Sequence, residues 1–326
     1  MRRAVATARA SLLELGSGIT AIDTEYARPL QDASHLIVAD SRAAFVDTGA
    51  NNAVPLLLEA LRAKGLEPAA VDYVFLTHVH LDHAGGAGSL LRHLPNARCV
   101  VHPRGAPHMV DPAKLWAGTE AVYGKRRARE IYGTLVPIPE SRIHVAADGE
   151  RFDLAGRELR ALYAEGHARH HYVLDDPASR GVFTGDSFGI SYRELDTPAG
   201  PMVFPSATPI DFDPEGAHAA YDRVLACEPE HVYLTHYSKV GNPERLAADL
   251  HAGIDAYQVM ALDAETRRDR LESLRSSMFA YLAERALGNG FEGDEDALWS
   301  ILGIDVDLNA QGLDVWLERR KKVQPA

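Results

Sequence analysis

The stretch Thr77-His78-Val79-His80-Leu81-Asp82-His83-Ala84-Gly85-Gly86 packs three imidazoles and a carboxylate into six residues. It directly follows the mostly apolar run Val71 to Leu76, which reads as a buried strand. Neutral imidazole nitrogens and carboxylate oxygens are the donors that a borderline cation such as zinc selects. Side chains two apart on an extended segment point the same way, so His78 and His80 can grip one ion together. Asp82 and His83, at the turn into a helix, then face a second. Gly85 and Gly86 are expected to let the backbone pass close to the metal centre. Alone, the stretch also fits a histidine-rich exposed loop, so the rest of the chain has to decide.

At 326 residues the chain can bury a large core in one domain, or one domain plus an appendage. Its formal charge of -12 opposes phosphate binding and disfavours a nucleic-acid partner. The cluster Arg319-Arg320-Lys321-Lys322 ends a helical pattern, where cations suit the helix dipole. Two cysteines, Cys99 and Cys227, make a disulfide scaffold implausible and fit a reducing cytoplasm. No apolar run approaches the length of a membrane span.

Residues 1–10 read as a loose N-terminal arm. Strand patterns follow at Ser11–Leu15, Ile19–Asp23, His35–Ala39 and Ala43–Asp47, then a helix over Val54–Ala63 that stops at Gly65. A strand, the histidine loop, a helix through Ser89–Leu94 and a strand Arg98–His102 continue this α/β rhythm. Residues 103–137 read as an inserted helical segment near the site, either a lid or an excursion packed on the core. A second β-rich stretch covers Ile143–Ala146, Arg157–Glu165, Tyr172–Leu174 and Gly181–Thr184, so that the two halves hint at an internal duplication. A long loop spans Ser187–Pro214. Beyond a boundary near Val240–Pro243, four helices are expected: Pro243–Leu262, Thr266–Leu287, Glu295–Leu302 and Ala310–Lys322.

Three further candidate ligand sites each close an apolar strand-like run: Glu165-Gly166-His167, Gly185-Asp186 and Thr235-His236. The C-terminal edge of a strand is where an α/β sheet presents its site. Singly each is weak; with the first motif they form a set.

That set, His78-x-His80-x-Asp82-His83 with Gly166-His167, Gly185-Asp186 and Thr235-His236, resembles the metallo-β-lactamase superfamily. Asp47-Thr48-Gly49 matches that family's first motif, in which the aspartate is structural. The resemblance covers roughly residues 11–239. It implies an α/β fold, the αβ/βα four-layer sandwich, as a domain over residues 11–241 with the 103–137 insertion, followed by a C-terminal helical extension over 242–326. It also implies a dinuclear centre, with His78, His80 and His167 on the first metal, Asp82, His83 and His236 on the second, and Asp186 bridging. Asp82 and Asp186 are its catalytic carboxylates. A cysteine stands at the Asp186 position in the best-known β-lactamases, which disfavours penicillin hydrolysis. His80, where flavodiiron proteins have glutamate, argues against that branch. Glu165-Gly166-His167-Ala168-Arg169-His170 departs from the related Pro-Gly-His-Thr-x-Gly-His, with Glu in place of Pro and no second Gly, which puts the local turn in question.

What remains is the branch resembling glyoxalase II, lactonases and persulfide dioxygenases. The resemblance implies a hydrolase in which a hydroxide bridging two divalent ions (zinc, with iron or manganese as alternatives) cleaves a small-molecule thioester, ester or lactone. The alternative is an iron persulfide dioxygenase using His78, His167 and Asp186. A vestigial site in a binding module is a third reading, which the intact ligand set opposes. His170 and His171 are candidates for orienting the ligands or touching substrate; Tyr192, Phe204, Tyr237 and Lys239 are candidate substrate contacts. Leu271, Leu274, Met278 and Leu282 form an apolar stripe that fits a roof over the site, a homodimer contact, or packing on its own domain.

Overall fold

The computed structural model describes residues 10–207, 209 and 211–323. The expected arm therefore lies outside the described residues except for Ala10, whose N–H donates to Glu59 Oε2 at 3.2 Å. Tertiary contacts divide the chain into two compact units. Unit 1 runs to Ala146 and takes in Phe152–Glu158; unit 2 holds Ala147–Arg151 and continues from Leu159.

Unit 1 is built from β1 (Leu12–Gly16), β2 (Ile19–Asp23), β3 (Ala33–Ala39), β4 (Arg42–Val46), α1 (Val54–Ala63), β5 (Val71–Phe75), α2 (Leu81–Ala84), α3 (Ala87–Leu91), β6 (Arg98–Val101), α4 (Ala106–Val110), α5 (Ala113–Tyr123), α6 (Lys125–Tyr132) and β7 (Ile143–Val145). These strands form one sheet in chain order, antiparallel from β1 to β4 and parallel from β4 to β7. The switch at β4 requires a crossover, which α1 supplies. That helix ends where Gly65 adopts φ +68°, with the Leu66 N–H donating to Leu61 O (3.0 Å), the left-handed stop that a Cβ would disfavour. Leu56, Leu57, Ala60 and Leu61 of α1 join Leu36, Phe45, Val74 and Val101 in the core. Truncating fully buried Leu57 to alanine would cost roughly 2–5 kcal/mol.

The second sheet runs β13-β12-β11-β10-β9-β8. Its strands are β8 (Arg151–Leu154), β9 (Arg157–Tyr163), β10 (Tyr172–Asp176), β11 (Gly181–Gly185), β12 (His231–Leu234) and β13 (Ser238–Gly241). Here too antiparallel pairs lead to a parallel one, β11 to β12, with α7 (Pro214–Leu225) between them. The order of pairing thus repeats between the two sheets. Helices α8 (Pro243–Ala264), α9 (Arg270–Gly288) and α10 (Glu295–Val323) follow. Two mixed sheets flanked by helices, with a helical extension after residue 243, give the expected α/β sandwich class.

The helical extension bears on three points of the sequence reading, and the last of them differs from it. The helices after residue 243 do not form a compact unit of their own: Leu250, Ile254, Leu274, Met278, Leu282, Leu302, Leu313 and Leu317 share one core with Val173, Val182 and Val232 of the second sheet. The stripe Leu274-Met278-Leu282 is therefore covered inside unit 2, and Leu271 packs against the same core. The last two expected helices are one 29-residue helix, α10. Gly303, Asp305 and Asn309 look like a break, yet Asp305 and Asn309 are buried and make tertiary hydrogen bonds that hold them within the helix.

Candidate metal centre

In unit 1 the site grows from the ends of β4 and β5. The Asp47 N–H donates to Phe75 O (2.8 Å), which ties the two strand ends together. The buried Asp47 carboxylate is then the hub. Oδ1 accepts from the Thr77 N–H (2.8 Å), Oδ2 accepts from His83 Nδ1 (2.8 Å), and the Thr77 hydroxyl donates to Oδ2 at 2.8 Å. With its proton directed there, Thr77 Oγ1 accepts from His78 Nδ1 at 3.1 Å. Both histidines are thereby fixed as the tautomer whose lone pair sits on Nε2. His78 Nε2 lies 2.9 Å from His80 Nδ1, and His83 Nε2 lies 3.9 Å from Asp82 Oδ2. His78 thus lies near His80 and Asp82 near His83, and the His78 and His83 rings also approach, with centroids 4.0 Å apart.

The glycines after the loop also make room within unit 1. A Cβ on Gly86 would lie 3.0 Å from Ala50 O and 3.1 Å from Thr48 O, and one on Gly85 3.3 Å from Ala50 Cα. Their bareness lets the turn after β4 press against the loop, where the Gly86 N–H donates to Gly49 O (2.9 Å) and Thr48 Oγ1 to His83 O (2.9 Å).

The inserted segment lies beside this loop. Leu81 and Ala50 share an apolar cluster with Tyr132, Leu115, Trp116 and Tyr123. Tyr26 and Tyr132 hydroxyls are 2.6 Å apart, and the Tyr123 and Tyr132 rings meet edge to face at 5.7 Å. Burial, reinforced by the Asp82 carboxylate, pushes the Tyr26 phenol well above its usual range, and burial does the same for Tyr132. These tyrosines stay protonated donors next to Asp82. Nothing in their sequence spacing revealed the cluster, since Tyr26 is far from its partners along the chain.

In unit 2, His167, Asp186 and His236 converge. Asp186 directs Oδ2 to His167 Nε2 and Oδ1 to His236 Nε2, each at 3.5 Å. His167 Nδ1 donates to Ser206 O (3.2 Å), which again leaves the Nε2 lone pair as the donor atom. His171 is buried, and its Nε2 accepts from the Asp186 N–H (3.3 Å), so it orients Asp186; His170 is half-buried in the same turn.

The turn that departs from the family pattern is sound. Gly166 has φ +149°, and a Cβ there would sit 2.4 Å from Ala217 N at the start of α7. His170, which stands where the pattern has its second glycine, adopts no positive φ, so glycine is not required at that place.

Ser206 and its supports were not found from sequence. The Ala207 N–H donates to Asn309 Oδ1 (2.6 Å), Asn309 Nδ2 donates to Pro205 O (3.3 Å), and the Tyr257 hydroxyl donates to the same carbonyl (3.2 Å). Helices α8 and α10 thus hold the loop whose carbonyl orients His167. Tyr192 and Phe204, read as candidate substrate contacts, are core residues instead, and the Tyr192 hydroxyl donates to Asp305 Oδ2 (3.0 Å). Tyr237 is buried, its N–H on Ser191 O (3.1 Å). Lys239 Nζ lies 6.0 Å from the centre of the Tyr233 ring.

Each unit therefore presents clustered histidine and aspartate donors of the kind that bind divalent ions. The metallo-beta-lactamase superfamily pattern matches residues 27–236, and the chain belongs to that superfamily. Similar proteins include a metallo-beta-lactamase fold-containing protein of Sulfurisphaera tokodaii, 32% identical over 139 residues, or 41% of this chain and 51% of that one. A hydroxyacylglutathione hydrolase of Xanthomonas axonopodis pv. citri is 30% identical over 172 residues, 52% of each chain. The chain thus spans about half the length of these curated relatives. Among solved structures, an archaeal superfamily protein from Sulfolobus tokodaii matches with a TM-score of 0.61 at 23% identity, covering 92% of this chain and 99% of that one. A family protein from Thermus thermophilus matches at 0.59 and 21%, covering 89% and 95%. These two likenesses bear on the fold.

Proposed function

We propose that the protein is a dinuclear metal-dependent hydrolase of a thioester, ester or lactone. His78, His80 and His167 hold one ion, Asp82, His83 and His236 hold the other, and Asp186 bridges. The observation that carries this reading is Asp186 with one oxygen toward His167 and the other toward His236. Each carboxylate oxygen then lies near an imidazole assigned to a different ion. Two divalent ions, zinc foremost, supply a water of lowered pKa as nucleophile and a Lewis acid for the substrate carbonyl.

The protein's own part is to fix the donors. Asp47 sets the tautomers of His78 and His83, Ser206 that of His167, and His171 the backbone of Asp186. Similarity to a hydroxyacylglutathione hydrolase favours a thioester. The unbridged cysteines suit a reducing compartment, and no described helix is long and apolar enough to cross a membrane.

The test is elemental analysis of protein purified without added metal, joined to hydrolysis of a hydroxyacyl glutathione thioester and of a simple lactone. About two zinc per chain, with turnover abolished in Asp186→Asn, is the expected result. One iron per chain with oxygen consumed in the presence of glutathione persulfide would replace this reading with the dioxygenase one.

A further inference from the structure

Away from these ligands, α7 and α8 carry the same spacing on facing surfaces: His218-Ala219-Ala220-Tyr221-Asp222 and His251-Ala252-Gly253-Ile254-Asp255. Residues four apart share a helix face. The pairs meet crosswise, with His218 Nε2 lying 3.3 Å from Asp255 Oδ1 and His251 Nε2 3.3 Å from Asp222 Oδ1. The two Nδ1 atoms approach to 2.6 Å. The ring planes lie within 8° and the centroids are 4.9 Å apart, so with that short N···N separation the rings meet edge to edge in one plane. Tyr221 braces the His251 ring edge-on at 5.3 Å.

A proton count shows what this set lacks. Each Nε2 faces a carboxylate oxygen and must carry hydrogen to be attracted there. In the neutral ring the other nitrogen, Nδ1, then holds a lone pair. Two lone pairs pointing at each other across 2.6 Å repel, so a cation belongs between them. We propose that this is a second metal site, a clamp in which His218 and His251 bind one borderline divalent ion of the zinc type through Nδ1. Each imidazole donates its remaining N–H to Asp255 or Asp222, the carboxylate–histidine–metal arrangement that metal-binding histidines favour. Zinc–nitrogen bonds of about 2.0–2.1 Å require the nitrogens to open by roughly 1 Å, and the rings, 29% and 31% exposed, have room to turn and to admit water as the other ligands. The same approach of two ring nitrogens marks His78 and His80 in the candidate centre.

The clamp would tie α7 to α8. The start of α7 packs on Gly166, and the Asp213 N–H before it donates to Gly166 O (2.9 Å), so the ion would steady the support of His167. Both helices lie in unit 2, and the proposal stands whether or not the catalytic reading holds.

Zinc titration by calorimetry on the His80→Ala/Asp186→Ala/His236→Ala protein, which removes the bridging carboxylate and one further ligand of each proposed ion, isolates the clamp from the candidate centre. One remaining site is expected, removed by adding His218→Gln/His251→Gln and weakened at least tenfold by Asp222→Asn/Asp255→Asn, whose side chains are 72% exposed and leave the fold intact. Zinc should raise the melting temperature of the protein with the clamp and leave that of the glutamine variant unchanged. No zinc binding in the His80→Ala/Asp186→Ala/His236→Ala protein, or binding that survives the glutamine substitutions, overturns the proposal; in the first case a shared proton fills the gap.

Discussion

Replacing Asp47 by asparagine changes almost no volume but breaks the logic of the hub. The carboxylate accepts from the Thr77 amide and hydroxyl and from His83 Nδ1, all within 3.0 Å. Asparagine keeps one acceptor oxygen and turns the other position into a donor. If its amide nitrogen faces His83, that ring must accept at Nδ1 and moves its proton to Nε2, the nitrogen that should bind metal. If it faces Thr77 instead, the threonine hydroxyl loses its acceptor and the fixed tautomer of His78 goes with it. Loss of an outer partner of this kind typically costs 10–100-fold in metal affinity, or about 1.4–2.8 kcal/mol. Because Asp47 serves two histidines, we expect Asp47→Asn to fall near the upper end. Competition against a chelator of known affinity measures it, with ¹⁵N imidazole NMR reporting the tautomers. A folded Asp47→Asn protein with metal affinity within twofold of the parent would falsify the hub.

Other substitutions probe other parts. Burial lowers the His35 imidazole to about 4, against a partial opposing pull from Asp47. The unfolded chain binds its proton near pH 6.5, so His35 favours the folded state above that pH and its contribution is lost as pH falls toward 4. Between pH 7 and pH 5 this amounts to about 2 kcal/mol, and urea unfolding of His35→Gln should show that much less pH dependence; an unchanged slope rejects the assignment. A Cβ on Gly88 would lie 1.8 Å from Val136 O, so Gly88→Ala should destabilise by about 3 kcal/mol or displace the end of the insertion, and a denaturation midpoint equal to the parent's would contradict this. Asn309→Ala strands the Ala207 N–H and removes one donor from Pro205 O, for a loss of about 1–3 kcal/mol. It should also weaken metal binding through His167, which calorimetry on the folded variant reads.

Much of the fold was legible because its strands are short apolar runs and its ligands stand at their ends. Ile19–Asp23 and Val54–Ala63 fall where periodicity put them. The strands Arg151–Leu154 and Ser238–Gly241 did not announce themselves, being four residues each and rich in polar side chains. The seven candidate ligands could be named from local motifs, since they stand at or just beyond the ends of strand-like runs. What orients them could not: Ser206, Asn309 and Tyr26 act through contacts that join distant stretches, and no local pattern encodes those. Asp305 and Asn309 even misled, because polar residues inside a helix resemble a break until their buried partners are known.

The supports of the two halves differ in how far apart along the chain they lie, and this bears on biosynthesis. His83 is held by a residue only 36 positions away, whereas the loop that orients His167 is held by a contact spanning 102 positions, from Ala207 to Asn309. A ribosome-bound chain can arrange the first set soon after the histidine loop emerges. The second must wait until α10 has been made and docked. A chain halted before α10 is therefore expected to keep the His83 tautomer and lose that of His167, a difference that selective histidine labelling can resolve. Maturation of the centre would then be gated by completion of its last helix.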